Sequence, residues 1–138
     1  SAEQRINDGM IDIDGLTMDE KVLVYADPDL IHQVAYNLLD NAIKFTPDGG
    51  VIRMSVRGNQ GICTVIVQDN GVGISPEDRP HVFERFYTAD KAHTSGKGTG
   101  LGLSICQRIM EMHGQKITLM DTGDEAGAAF AFTLDCAK

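Results

Sequence analysis

"HQVAYNLLDNAIKF" (His32–Phe45) has a helical repeat and also a polar line that a plain core helix does not need. With Asn37 at zero and about 100° per residue, Gln33, Asp40, Asn41 and Lys44 all fall within about 60° of it. Ile31, Val34, Leu38, Ala42 and Phe45 occupy a separate arc that can serve as a core stripe. Two readings of the polar line stand open. One is a solvated face, although such faces draw on Glu, Lys and Arg, and Asn is a poor helix former. The other is a ligand face, since amide oxygens suit a hard cation and an ammonium suits a phosphate.

The surrounding sequence frames this helix. Asp27 can cap it, Pro28 suits its first turn, and "TPDGG" (46–50) stops it. "MIDID" (10–14) and "KVLVYA" (21–26) read as strands before it. "VIRMSV" (51–56) and "ICTVIVQ" (62–68) read as a hairpin after it, turning near Gly58 to Gly61. Ser75-Pro76-Glu77-Asp78 resembles a second helix start, leading to "VFERFY" (82–87). "LGLSICQRIMEMH" (101–113) reads as a third helix ended by Gly114, with His113 in its last turn, where positive charge is favoured. "KITLM" (116–120) and "AAFAFTL" (128–134) are closing strands. Strands and helices mix without β-α-β alternation, which predicts an α+β fold with helices layered on one sheet.

The 138 residues fit one domain, with 42% apolar and 23% charged residues, as in ordinary globular proteins. A net charge of −8 argues against nucleic acid as a partner. The three cysteines lack C-x-x-C spacing; Cys63, in an apolar run, and Cys106, in a helical pattern, read as buried free thiols in a reducing, cytoplasmic setting. No apolar run approaches 18 residues and no signal-like start is present, so no membrane contact by this chain is expected. Residues 1–8 are polar and read as the stub of an upstream linker, with the domain proper spanning 9–138.

Two glycine loops follow the Asn helix. Strand alternation puts Asp69 on the same face as Cys63, Val65 and Val67, so a carboxylate continues an apolar face and needs a donor. It is either a turn aspartate before Asn70-Gly71 or a group that accepts from an exocyclic amino group such as adenine's. Gly71 and Gly73 would let the backbone approach a flat ligand. "GKGTGLGLS" (96–104) runs into a helix whose N-terminus favours phosphate. It matches neither G-x-x-x-x-G-K-[ST] nor G-x-G-x-x-G, and no H-R-D or D-F-G occurs.

Over residues 20–135 the sequence resembles the catalytic ATP-binding domain of bacterial sensor histidine kinases, in the wider family of gyrase, Hsp90 and MutL. "NLLDNAIKF" resembles its N box, "DNGVGI" its G1 box, "FERFY" its F box and "GTGLGL" its G2 box, in the family's order and spacing. The resemblance implies a two-layer α/β sandwich of Bergerat type. Its mixed, mainly antiparallel sheet would be covered by about three helices, with a mobile ATP lid over about 88–98. It also implies ATP and Mg²⁺ as cofactors, with Asn41 on the metal and Asn37 nearby in its shell. Lys44 would meet phosphate and Phe45 would lie near the nucleotide. Asp69 would hold the adenine amino group, with Gly71, Gly73 and Ile74 shaping that pocket. Gly98, Thr99, Gly100, Leu101, Gly102 and Leu103 would line the phosphate side. Phe83 and Phe86 would anchor the lid, and Lys91 and Lys97 would lie in it as nucleotide-binding point charges. Thr88 and His93 stand where many relatives carry arginine.

The hydrolysing branch of that family resembles E-x-x-x-N, whereas this chain has N-x-x-x-N, with Asn37 in the glutamate's place. An amide is no general base at neutral pH, so the γ-phosphoryl group is expected to await another acceptor. Asp40, one turn along, reads as surface charge. None of His32, His81, His93 and His113 is followed by an acceptor-like sequence. The resemblance therefore implies transfer to a histidine on a separate dimerisation domain, and from there to a response regulator. This chain is expected to be monomeric, and its parent tethered to the inner face of the cell membrane. A free-standing ATPase and a nucleotide-gated interaction module without useful turnover are the alternatives.

Overall fold

The computed structural model describes residues 24–85, 102–123 and 126–136, and the backbone of 12–14. The strands are β1 (Asp12–Asp14), β2 (Val51–Asn59), β3 (Ile62–Asp69), β4 (Ile117–Met120) and β5 (Ala129–Asp135). The helices are α1 (Pro28–Phe45) and α2 (Gly102–Met112). The sheet order is β1-β2-β3-β5-β4. β1 runs parallel to β2 and every other pairing is antiparallel, so the sheet is mixed but mainly antiparallel.

Local chemistry sets the ends of α1. The Asp27 carboxylate accepts from the N–H groups of Asp29 and Leu30 at 3.0 and 3.2 Å, a cap worth about 1 kcal/mol. At the other end Thr46 leaves helical geometry and is buried, its hydroxyl donating to the Ala42 carbonyl at 2.6 Å. Gly114, at φ +68°, follows the last turn of α2 in the left-handed region that glycine tolerates best.

Period-two alternation on β3 buries Cys63, Val65, Val67 and Asp69 on one face. Their partners Leu134, Phe132 and Phe130 on β5, and Ile52 opposite Asp69 on β2, continue that face. Val34, Leu38, Ala42 and Ile43 of α1 and Cys106, Ile109 and Met110 of α2 join it in one hydrophobic core. The result is the expected two-layer arrangement, with helices on one side of one sheet. Ile43 lies outside the stripe read from the sequence, whereas Ile31 and Phe45, inside it, are only half-buried.

Three expectations are corrected. The helix start at Ser75 yields only a 3-10 turn, Arg79–His81, among the described residues. Pro80 lacks the N–H that an α-helix would need there and disfavours helical geometry at Arg79. The covering layer thus has two α-helices and one short turn among those residues. Phe83 still packs inward, edge-on to Phe130 with ring centres 5.9 Å apart. Of the expected strand 21–26, residues 21–23 lie outside the described residues; Val24 makes a single bridge to Cys136, and the Tyr25 N–H donates to the Asp135 carbonyl at 2.9 Å. His113 is not a charged helix end: its Nδ1–H donates to the Ile109 carbonyl at 2.8 Å and its Nε2 accepts from the Asp27 N–H at 3.1 Å. That pattern needs a neutral ring with its proton on Nδ1. It also ties the end of α2 to the cap of α1.

Candidate functional site

The site residues within the described parts come from three places. Asn37, Asn41, Lys44 and Phe45 lie along α1, and all are half-buried rather than exposed. Asp69, Gly71, Gly73 and Ile74 follow β3. Gly102 and Leu103 open α2. Phe86, Lys91, Lys97, Gly98, Thr99, Gly100 and Leu101, and the expected lid over 88–98, lie outside the described residues.

The loop after β3 is pressed onto the end of α1. The Val72 N–H donates to the Phe45 carbonyl at 3.3 Å. A Cβ on Gly71 would come within 2.3 Å of that oxygen, so only glycine fits. Asn70 is structural: its side-chain oxygen accepts from the Val51 N–H at 2.8 Å.

Asp69 is only 8% exposed. Its Oδ1 accepts from the N–H groups of Gly71 at 2.8 Å and Ala128 at 3.3 Å. Among the described residues Oδ2 meets no donor. Burial raises its pKa above the ordinary carboxylate value, and the two backbone hydrogen bonds pull against that rise. One oxygen is therefore committed to the backbone. The Ala128 N–H and Gly127 were not anticipated from the sequence. Gly127 has φ +93°, and a Cβ there would lie 1.9 Å from the Asp69 carbonyl oxygen. The sequence signal was a glycine just before the closing strand, in "AGAAF" (126–130).

The polar line of α1 is built differently. Lys44 Nζ lies 2.9 Å from Asp40 Oδ2, with both side chains about one-third exposed. Asn37 lies near Cys106 of α2. Burial pushes the Cys106 thiol up to about 12, with the nearby Asn37 side chain opposing, so this sulfur is an inert thiol. No group of three or more His, Cys, Asp or Glu able to hold a metal occurs among the described residues. A hard cation here would instead rely on the amide oxygens of α1, with phosphate oxygens and water completing its shell. The i, i+4 amides on one helix face fit that mode.

A wide groove between Phe83, Arg85 and the outer face of α2 (Ser104, Arg108) includes none of these nucleotide-site residues apart from the neighbouring Phe83. No helix among the described residues is long and apolar enough to cross a membrane.

Residues 26–138 match the family described as histidine kinase-, DNA gyrase B- and HSP90-like ATPase. The chain belongs to this family. It is 41% identical over 117 residues to the sensor protein KdpD of Clostridium acetobutylicum, covering 84% of this chain and 13% of that one. It is 43% identical over 114 residues to the adaptive-response sensory kinase SasA of Trichormus variabilis, covering 80% of this chain and 27% of that one. The chain thus spans a small part of either relative. The catalytic domain of histidine kinase ThkA superposes with a TM-score of 0.80 at 34% identity, covering 96% of this chain and 84% of that one. ThkA in complex with the response regulator TrrA also superposes, with a TM-score of 0.77 at 32% identity, covering 98% of this chain and 37% of that one. The described architecture is that of a histidine kinase ATP-binding catalytic domain.

Proposed function

We propose that this domain binds Mg-ATP and gives the γ-phosphoryl group to a histidine on a separate helical dimerisation domain, from which a response regulator takes it. The observation that carries the nucleotide reading is Asp69. It is a buried carboxylate with one oxygen fixed by backbone N–H groups and the other uncommitted, on a loop pressed against the amide-bearing helix. Asp69 would accept from the adenine amino group. Asn41, with Asn37 beside it, would hold Mg²⁺, and Lys44 would meet phosphate. The ion would neutralise charge developing on the phosphates, and phosphoryl transfer needs little beyond positioning and such electrostatics. Gly98, Thr99, Gly100, Leu101, Gly102 and Leu103 would line the phosphates. Lys91 and Lys97 would stand in as point charges where Thr88 and His93 replace arginine, without an arginine's bidentate fork.

Asn37 favours transfer over hydrolysis. No carboxylate occupies its place on α1, and an amide cannot take a proton from water. The domain would be monomeric alone, with dimerisation supplied by the acceptor domain and membrane tethering by the rest of the parent. ThkA was solved with a response regulator, which supports the same relay here.

The test mixes radiolabelled ATP with the chain, with and without its own histidine-bearing domain. Acid-labile, alkali-stable label on the partner is expected, and Asn41→Ala should abolish it. Fast phosphate release by the chain alone would favour an ATPase. Tight binding without transfer would favour a nucleotide-gated module.

A further inference from the structure

Asn70-Gly71 is the one Asn-Gly pair in the chain, and Asn70 is exposed at the end of β3. Hydrogen bonds fix the pair on both sides. The Asn70 Oδ1 accepts from the Val51 N–H at 2.8 Å, and the Asn70 N–H donates to the Val51 carbonyl at 3.2 Å. The Gly71 N–H donates to the Asp69 carboxylate at 2.8 Å. A Cβ at position 71 would lie 2.3 Å from the Phe45 carbonyl oxygen, so the residue after Asn70 cannot be a bulkier one that would hinder ring closure.

We propose that Asn70 is a self-modification site, at which the Gly71 nitrogen attacks the Asn70 side-chain carbonyl and converts this asparagine to isoaspartate and aspartate. Asp69 draws the proton from the attacking nitrogen, and the Val51 N–H stabilises the negative charge that develops on Oδ1. The reacting atoms close a five-membered ring, so the covalent chain itself keeps them near one another. Burial raises the Asp69 pKa, which makes its carboxylate a stronger base than an ordinary one. The new bond joins the Gly71 nitrogen to Asn70 Cγ, and the Cγ–Nδ2 bond breaks. The Gly71 proton passes by way of Asp69 to Nδ2, which leaves as ammonia into solvent. Water then opens the succinimide at either carbonyl, and no oxidant takes part. In the isoaspartate product the main chain runs through the former side chain and is one carbon longer. That shift pulls the Gly71 N–H off Asp69.

The test ages the intact chain at neutral pH and locates converted residues by fragmentation mass spectrometry, with enzymatic isoaspartate methylation as a second readout. Asn70 should convert roughly tenfold faster in the folded chain than in the same chain unfolded in guanidinium. Asn59, also exposed but followed by Gln60, should lag behind it. Asp69→Asn keeps an acceptor for the Gly71 N–H but no base, and should slow Asn70 by a similar factor. Conversion no faster in the folded chain than in the unfolded one would overturn the proposal, as would an unchanged rate in Asp69→Asn. Should that variant fail to fold, the folded-against-unfolded comparison still decides. One consequence rests on the nucleotide reading proposed above: the isoaspartate fraction should bind ADP roughly tenfold more weakly than fresh protein. Fresh protein that binds no ADP would sink that reading, and the conversion rates would still decide the modification.

Discussion

Asp69 and Lys44 mark two ends of the candidate site and are held in opposite ways. Asp69 is locked by main chain: two N–H groups grip one carboxylate oxygen, and Gly71 and Gly127 are small because backbone atoms leave no room for a Cβ. Lys44 reaches Asp40 from the same helix surface, and water touches both. One end is shaped before a ligand arrives. The other is a partly exposed side-chain pair that polyphosphate would compete for. Base recognition should therefore be sensitive to backbone changes, and the phosphate end to salt and to neighbouring charge.

Gly127→Ala should break the locked end most severely. It places a Cβ against the Asp69 carbonyl at a left-handed φ of +93°. A loss of about 3 kcal/mol or more is expected, read as a lower urea midpoint together with lost nucleotide binding. A midpoint within error of wild type would show that the loop gives way easily.

Asp69→Asn is expected to separate recognition from stability. Nucleotide affinity should fall by about 1.5–3 kcal/mol, on the order of tenfold to a hundredfold, in a calorimetric titration. Stability should move the other way. The folded pKa of Asp69 is raised by burial, so the native state holds its proton longer than the unfolded chain. Stability then falls as pH rises from the ordinary carboxylate pKa to the raised folded one, and the cost persists above it. Below the ordinary pKa both states are neutral and the cost vanishes. The stability difference between Asp69→Asn and wild type should accordingly grow with pH across that window. A difference independent of pH would deny that the burial cost falls on the charged form.

His113→Ala probes the frame joining the two helices. It removes both the Ile109 and the Asp27 hydrogen bonds, and about 1–2 kcal/mol of stability should go with them. Nucleotide affinity should change much less than stability. Equal losses in both would mean that the site and the helix frame move as one.

The legible parts of the fold were those carried by local chemistry. The α1 ends follow from Asp27, Pro28 and Thr46, and the alternation on β3 placed Asp69 on the buried face. Less legible were features set by distant backbone. Nothing near Asp69 in the sequence points to Ala128, 59 residues away, as a second donor. Cys106 read as a buried thiol and is one, but its contact with the Val34 carbonyl depends on which α1 residues α2 happens to cross. The helix expected after Ser75 failed because Pro80, inside the pattern, outweighed a good start signal. His113 read only as a last-turn residue favoured there when charged, because its partner Asp27 lies 86 residues away.

Asp40→Asn should have the smallest effect on stability. A partly exposed i, i+4 pair with the acid N-terminal to the base contributes about 0.3–0.5 kcal/mol. That much should be lost at low salt and less near 0.15 M, where screening is stronger. The more telling readout is ligand preference. With Asp40 neutral, a triphosphate no longer competes with that carboxylate for Lys44, so ATP affinity should rise relative to adenosine by a few-fold at most. Lys44→Ala should lower the same ratio. A fall in the ratio for Asp40→Asn would mean that the carboxylate aims Lys44 at the phosphates instead of competing with them, and the phosphate end would then be as preorganised as the Asp69 end.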